Sequence, residues 1–159
     1  MNLKLLEHLD FEERTRDITE VRNMADSIVA GELTVFTLKY QFVSFPNWNK
    51  DPKTGIHAPL VYGKTLGYRN EAIVGDIKYL WEPSRHLHFP VLAYAFRLSG
   101  DIKFLECLSQ HMRSWIDQCP HLLGPHCVSS LGLGIRLINW CMTWNILRDS
   151  LDDTRCLSN

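Results

Sequence analysis

The segment from Tyr40 to Ser84 constrains this chain most, because it can be neither a long helix nor a solvated linker. Proline, glycine and asparagine recur in it every few residues, which excludes long helices. The same segment is rich in tryptophan, tyrosine and phenylalanine, which a solvated linker does not carry. A loop of this length and composition must pack onto the rest of the protein, and long ordered loops usually carry function. We therefore predict a long ordered, aromatic-rich loop that packs across the ends of helices.

Helical patterns flank this loop on both sides. The spacing of apolar residues predicts one helix from Phe11 to Ala30, with Gly31 as its C-cap. A second helix is predicted from Arg85 to Leu98, and Gly100 breaks it. Asp101 is a good N-cap for a third helix, which carries a single apolar stripe.

The last predicted helix differs from the others in being apolar on nearly every side. It begins at Ser129 or Ser130 and reaches about Leu147. A helix that is apolar all round is typically buried, so this helix is expected to be the most buried element. Helices that alternate with short turns, without strand periodicity, predict an all-α fold. Residues 1–150 are expected to form the helical domain, and residues 151–159, which lack an amphipathic pattern, are expected to form a tail.

Composition excludes several classes of function. The net charge is −1 and there is no basic stripe, so no nucleic-acid partner is expected. No apolar run is long enough to span a membrane, and no signal peptide is recognisable, which makes cytoplasmic localisation the default expectation. The five cysteines form no C-x-x-C pair and are expected to be free thiols. His86 and His88 lack a third ligand at a suitable spacing, so no metal site is predicted there.

Four separated motifs together resemble the N-terminal part of the heparinase II/III-like proteins, above all the members associated with bacterial surface-polysaccharide gene clusters. The resemblance covers nearly the whole chain, from about Phe11 to Leu147. The motifs that carry it are, in order, NWNKDPKTG (Asn47 to Gly55), GDIKYLWEPSRHLH (Gly75 to His88), RLSGDIKFL (Arg97 to Leu105) and SWIDQCPHLLGPHCVSSLGLGIRLINW (Ser114 to Trp140).

This resemblance implies an incomplete (α/α) toroid, built from antiparallel helix hairpins around a central cleft. Family members continue with more helices and a β-sandwich domain, so this chain resembles only the first part of such a protein. The apolar last helix would then be an inner helix whose neighbours are missing. Exposure of its apolar face is expected to make the isolated chain self-associate.

The chemistry that the resemblance implies is β-elimination on uronate-containing polysaccharides, which strictly requires neither a metal nor a cofactor. The uronate carboxylate must be neutralised, a base must take the neighbouring proton, and an acid must protonate the leaving oxygen. The family's neutraliser is typically the asparagine of a G-x-N-W loop, and here the loop reads GPHC, which puts His126 at that position. A histidine can donate a hydrogen bond or carry a charge, so His126 is the candidate catalytic residue. The family's tyrosine and second histidine have no counterpart, and the chain is therefore expected to be inactive by itself.

Five further residues are candidates for binding an acidic polysaccharide. Arg85 either holds a sugar carboxylate or pairs with a nearby acid such as Glu82 or Asp76. Arg136, in an apolar helix, either forms a structural ion pair or faces the cleft and binds a carboxylate. Aromatic side chains stack on sugars or pack the loop down. The candidates are Trp48, Trp81, Arg85, His88 and Arg136, with Trp81, Arg85 and His126 expected to converge on one cleft.

Two hypotheses of different classes follow. The first is the N-terminal helical portion of a polysaccharide lyase-like protein that acts on or binds acidic polysaccharide. The second is a helical module without catalytic activity that binds a glycan or a protein, or a truncated remnant with no function of its own.

Overall fold

A computed structural model describes the backbone of residues 11–156 and the side chains of residues 18–148. Over that range the chain is mostly helical, with one small antiparallel hairpin. None of the described helices is long and apolar enough to cross a membrane. The elements are α1 (Phe11–Val29), β1 (Glu32–Val35), β2 (Leu38–Gln41), α2 (Glu71–Val74), α3 (Ile77–Trp81), α4 (His88–Ser99), α5 (Lys103–Gln118) and α6 (Ser130–Cys156), with 3₁₀ turns at Gly63–Thr65, Pro83–Arg85 and Pro125–Cys127.

Most predicted helix ends are confirmed. The helix that begins at Phe11 ends at Val29, and Gly31 follows it with a left-handed φ of 87°. Glycine is required there, because a Cβ would collide with the carbonyl oxygen of Phe42. Asp101 caps the start of α5, since its Oδ1 accepts a hydrogen bond from the backbone N–H of Lys103 at 3.1 Å.

The hairpin corrects the expectation of an all-α fold. Strands β1 and β2 pair antiparallel, with Leu33 opposite Tyr40 and Val35 opposite Leu38. Each strand has only four residues, too short for a period of two to stand out in the sequence. Burial nevertheless alternates along β1, where Leu33 and Val35 face inward. The hairpin therefore adds two apolar side chains to the core beside α1.

The most buried helix is α4. It contacts α1, α5 and α6, and Phe89, Leu92 and Ala93 on it have no exposed surface. A three-residue connection, 100–102, joins α4 to α5. The mostly helical class is thus established, while the arrangement of these helices as an incomplete toroid stays a prediction.

The prediction that the last helix is the most buried element is wrong. Apolar residues of α6 face outward, with Leu131 65%, Leu137 60% and Trp144 64% exposed. Its inward face is polar instead, and consists of Arg136, Asn139 and Thr143. The helix also continues to Cys156 rather than ending near Leu147, so the boundary drawn at residue 150 falls inside it. The last three residues of the expected tail lie outside the described residues.

The predicted aromatic loop is ordered and contains short helices. It has a small core of its own, which consists of Ala58, Leu66, Val74 and Leu80. Asp51, which has no exposed surface, ties the loop together with its carboxylate. Its Oδ2 accepts hydrogen bonds from the Thr54 hydroxyl at 2.6 Å and from the backbone N–H of Asp76 at 2.8 Å. Its Oδ1 accepts a third bond, from the backbone N–H of Lys53 at 2.8 Å.

Replacement of Asp51 by alanine is expected to lower the free energy of unfolding by roughly 3 kcal/mol, because three donors lose a charged acceptor in a buried site. Urea denaturation followed by circular dichroism measures the change. Asp117→Ala, at an exposed position on α5, is the matched control and is expected to stay within about 0.5 kcal/mol of the parent. A loss below about 1 kcal/mol for Asp51→Ala would show that this carboxylate does not hold the loop.

Candidate functional site

Trp48 lies inside a buried group of aromatic rings and not on the surface. It is 1% exposed, and its Nε1 donates a hydrogen bond to Ser114 Oγ at 2.9 Å. Its ring centroid lies 5.2 to 6.2 Å from four other rings, those of His86, His88, His111 and Trp115. Trp48 is therefore a core residue, which corrects the expectation that it stacks on a sugar. We refer to Trp48, Trp115 and the histidines at 86, 88, 111 and 126 as the histidine cluster.

His126, the candidate catalytic residue, belongs to this cluster and is only 2% exposed. Its Nε2 lies 2.9 Å from the carbonyl oxygen of Trp48. Because a carbonyl can only accept, Nε2 carries the proton and donates a hydrogen bond to this oxygen. Nδ1 is then an acceptor, and it has no partner. Burial, together with the nearby charge of Arg136, lowers the pKa of His126 to about 3. A neutral ring whose only N–H is already bonded cannot neutralise a uronate carboxylate, so the expected catalytic role is not supported by the geometry.

His86 and His88 are both buried, although two residues at this spacing on a helix would face different directions. Their ring centroids are 5.9 Å apart. The helical rule does not apply, because His86 precedes α4 and adopts a left-handed φ of 57°. Trp140 Nε1 donates to His86 Nδ1 at 2.8 Å, which places the His86 proton on Nε2, where it has no partner. His86 was considered from the sequence only as a metal ligand beside His88, and no local pattern singled out His111.

His88, a candidate for binding sugar, pairs with a histidine of α5. Its Nε2 is 3.2 Å from His111 Nδ1, and both rings are buried. Burial is the main reason that the pKa values of His86 and His88 are lowered well below the ordinary value. Burial also lowers the pKa of His111 to about 4, although a hydrogen bond to the backbone of Ser44 opposes the shift. The cluster is therefore neutral at pH 7.

Arg136 is buried without a carboxylate partner among the described residues. Its Nε donates to the carbonyl oxygen of Ser84 at 2.7 Å, and its Nη2 lies 3.5 Å from that of His126. Its guanidinium carbon lies 4.2 Å from the ring centroid of Trp115, which adds a cation–π contact. Neither expected role applies to Arg136, which joins two turns to α6 through their carbonyls.

Arg85 forms an ion pair with Glu82, which is one of the two acids that the sequence suggested. Its side chain is 26% exposed, while its carbonyl oxygen accepts a hydrogen bond from Asn139 at 2.8 Å. Trp81 donates from Nε1 to the carbonyl oxygen of Pro125 at 2.9 Å, so the turns at 81–85 and 125–127 do meet. The His126 ring nevertheless faces the core, and the expected open cleft shared by Trp81, Arg85 and His126 is not formed.

The grouping of possible metal ligands and the state of two thiols can be read from the described residues. They contain no group of three or more histidine, cysteine, aspartate or glutamate side chains that could hold a metal ion. Four cysteines in this range are free, and burial raises the pKa of Cys107 to about 11 and that of Cys119 to about 12. Thiols with such values carry almost no thiolate at pH 7 and are poor nucleophiles.

An open depression on the loop surface is a candidate site that the motifs did not reveal. Residues 66–71 line it. Arg69 lies over the ring of Tyr68, 5.6 Å from its centroid, and the Tyr68 ring is 5.9 Å from that of Trp81. Arg69 is exposed, and the two rings are half-buried. The sequence signal was a Tyr-Arg pair inside the aromatic loop. This pair indicates a binding surface only when the folded structure places the Trp81 ring next to Tyr68.

Comparison with known proteins gives no match: no family model, no curated protein and no solved structure is similar to this chain. The resemblance to heparinase II/III-like proteins therefore stays a prediction.

The histidine cluster makes the stability of this protein depend on pH. In the unfolded chain histidines bind protons below a pKa of about 6.5, whereas these four bind them only at lower pH when folded. The stability that these histidines give to the folded protein is therefore present above pH 6.5. It is lost as the pH falls towards their pKa values in the folded protein. Each contributes at most about 1.4 kcal/mol per pH unit, so we expect a loss of roughly 4 kcal/mol between pH 6.5 and 5.5.

Urea denaturation at several pH values measures this slope. His126→Gln, whose amide can still donate to the Trp48 carbonyl, is expected to reduce the slope by about a quarter. His57→Gln, at an exposed position, serves as the control and is expected to leave the slope unchanged. A free energy of unfolding that stays constant from pH 7 to 5.5 would contradict a cluster that is buried and neutral.

Proposed function

We propose that this chain is a helical portion of a polysaccharide lyase-like protein, and that it binds acidic, uronate-containing polysaccharide without cleaving it by itself. The observation that carries the binding proposal is the row of Arg69, Tyr68 and Trp81 beside an open depression. The four motifs of the sequence support the choice of an acidic polysaccharide.

The row combines the two kinds of contact that an acidic sugar needs. Half-buried aromatic rings offer an apolar face to the C–H groups of a sugar ring, and an arginine offers a planar fork to its carboxylate. Arg69 is exposed and forms no ion pair with a carboxylate of the described residues, so its charge is open to a ligand, although Glu71 also lines the depression and opposes an anion there. Arg85, by contrast, already holds the carboxylate of Glu82.

Absence of cleavage follows from the state of the candidate catalytic residue. β-Elimination needs a donor or a positive charge at the uronate carboxylate and a base at the neighbouring proton. His126 is neutral and buried, and its N–H is bonded to the Trp48 carbonyl. We therefore expect no unsaturated uronate ends when the chain is incubated with acidic polysaccharides, as measured by their ultraviolet absorbance.

Binding is tested by titration calorimetry with oligosaccharides of polygalacturonate, and with dextran oligosaccharides as the uncharged comparison. We expect saturable binding of the acidic ligand only, weakened by added salt. Arg69→Gln is expected to raise the dissociation constant about fivefold, because the charge that faces the carboxylate is lost.

Arg113→Gln is the matched control, since Arg113 is also exposed but lies on α5 away from the depression. It is expected to leave the dissociation constant within about twofold of the parent. If the two substitutions had equal effects, the binding would reflect only the net charge of the protein. If polygalacturonate did not bind, the proposal that this depression recognises uronate would be wrong.

A second function, association through the outward face of α6, is favoured by a separate observation. Six large apolar side chains on this face are between 38% and 65% exposed: Leu131, Leu133, Leu137, Ile138, Met142 and Trp144. A group of exposed apolar side chains of this size typically marks an interaction surface, and each partner in a standard interface buries ~800 Å².

The occupant that we propose for this face is a second copy of the chain. Between residues 131 and 147 the only charged residue is Arg136, which faces inward, so two identical faces do not repel each other. A Cβ added at Gly134 would meet nothing within 4 Å, and Cys141, seven residues later, is exposed. These small residues lie along the middle of the face and allow two helices to approach closely.

Sedimentation velocity over a range of concentrations tests this association. The parent chain is expected to be dimeric at micromolar concentration, and Leu137→Glu is expected to be monomeric, because it would bury a charge in the interface. Ile116→Glu is the matched control, since Ile116 on α5 is 61% exposed and Leu137 is 60% exposed. A monomeric parent at about 100 μM, or equal behaviour of the two variants, would contradict the proposed interface.

A further inference from the structure

Strand β2 pairs with β1 along one edge only, because the described sheet has two strands. The backbone N–H of Phe42 donates to the carbonyl oxygen of Gly31 at 2.8 Å, across the hairpin and just beyond the strands. Backbone groups alternate in direction along a strand, so those of Tyr40 also face β1, whereas the N–H and C=O groups of Lys39 and Gln41 face away from it. No backbone hydrogen bond joins these outward groups to a described residue outside the hairpin. The outer edge of β2 thus presents unpaired donors and acceptors.

An open depression of about 450 Å³ borders this edge. The consecutive residues 39–42 line one side of it, and loop residues between Phe45 and Gly55 line the other. No residue of β1 lines this depression, whereas β1 lines a different cavity, on the side of α1. The Tyr40 hydroxyl accepts a hydrogen bond from the backbone N–H of Asn47 at 2.9 Å, which joins the strand to the loop. The depression therefore runs along the outer edge of β2, and we refer to it as the edge depression.

The edge depression is positively charged. Lys39 and Lys50 line it and are exposed, and no aspartate or glutamate of the described residues lines it. Lys50 takes part in none of the ion pairs of the described residues. Lys39 Nζ lies 3.1 Å from a carboxylate oxygen of Glu32, yet the Lys39 side chain is 73% exposed. Phe45, which is 46% exposed, adds apolar surface on the loop side. An occupant that complements these groups carries both negative charge and apolar side chains.

We propose that the edge depression binds an extended acidic peptide of another protein, which adds a third strand to the hairpin beside β2. In strand addition, main-chain hydrogen bonds provide affinity and the neighbouring side chains provide specificity. Backbone groups on one edge of a peptide strand repeat every two residues, which matches the spacing of Lys39 and Gln41. A second copy of β2 is disfavoured, because it would bring the same lysines of both copies together. The surface is separate from the depression at residues 66–71 and from the outward face of α6.

The test uses three blocked peptides that differ in charge or in backbone donors. The probe is acetyl-Glu-Glu-Val-Thr-Val-Thr-Glu-Glu-amide. One comparison has lysine in place of every glutamate, and the other has two prolines in place of the central Thr-Val, which removes a donor from each edge of the peptide strand. We expect saturable binding of the probe, followed by NMR of the backbone amides, and at least about tenfold weaker binding of both comparisons.

Amide hydrogen exchange identifies the groups that the probe contacts. The outward N–H groups of Lys39 and Gln41 are expected to exchange at least about tenfold more slowly when the probe is saturating, because each gains or adjoins a hydrogen bond. Unchanged exchange at both amides, or equal binding of the proline peptide, would overturn strand addition. No saturable binding at millimolar probe would overturn the site. Displacement of the probe by oligosaccharides of polygalacturonate would overturn the choice of a peptide, since the depression would then be a general anion site.

Two substitutions at Gln41 test the strand edge itself. Gln41→Pro removes the outward N–H but no bond to β1, and proline is tolerated on strand edges. Gln41→Val keeps that N–H, and both variants lose the side-chain bond from Gln41 to Glu32. We expect the probe to bind at least about fivefold more weakly to Gln41→Pro and within about twofold of the parent to Gln41→Val. Equal binding to the two variants would show that this N–H is not used.

The charge of the edge depression is tested without any change to the strand. Lys50→Gln is expected to weaken binding of the probe about fivefold, because Lys50 is exposed and lines the depression. Lys64→Gln is the matched control, since Lys64 is exposed but lies in the turn at 63–65 and does not line the depression. It is expected to leave the dissociation constant within about twofold of the parent. Equal effects of the two substitutions would contradict recognition of acidic residues at this depression.

Discussion

The burial of Trp48 is the interaction on which the rest of the structure depends. Its side chain is bonded to Ser114, and its backbone N–H donates to Gln118 Oε1 at 3.1 Å, so both ends of the residue are fixed to α5. Its carbonyl oxygen accepts a hydrogen bond from His126 Nε2, which fixes the turn at 125–127. A single residue of the aromatic loop thus joins the loop, α5 and the turn that precedes α6. This explains how a segment rich in proline and glycine is held in one conformation.

The contacts of Trp48 require the neighbouring histidines to be neutral. Each of these rings fills a place in the core as an aromatic side chain, and His126 uses its N–H as a directed donor to the Trp48 carbonyl. A protonated ring would put a charge beside Arg136, in a region from which water is excluded, and would turn an acceptor nitrogen into a donor. The residues that suggested catalysis from the sequence alone are therefore residues that hold the loop in place. His126 is the clearest case, since the geometry that anchors Trp48 removes the N–H that catalysis would need.

Local signals in the sequence predicted the helices, whereas the candidate site depended on contacts that no local signal encodes. Helix ends at Gly31 and Asp101 were predictable because capping chemistry lies within a few residues. The hairpin was missed because four-residue strands do not establish a period. The burial of Trp48 and His126 could not be predicted, since their bond joins residues 78 positions apart. Arg69 was missed because its significance depends on the Tyr68 ring and on Trp81, which folding brings together.

In α6 the polar residues are buried and many apolar residues are exposed, and the cause lies in the turn that this helix covers. Residues 83–86 are not α-helical, and the backbone carbonyls of Ser84 and Arg85 would be unpaired in a buried position without outside donors. Arg136 and Asn139 supply those donors, and Trp140 supplies one more to His86 Nδ1. These bonds fix the rotation of the helix, because their side chains must face the turn. The apolar residues on the opposite side of α6 must then face outward. The hydrogen bonds that α6 donates to the turn on its inner side therefore create the apolar surface on its outer side.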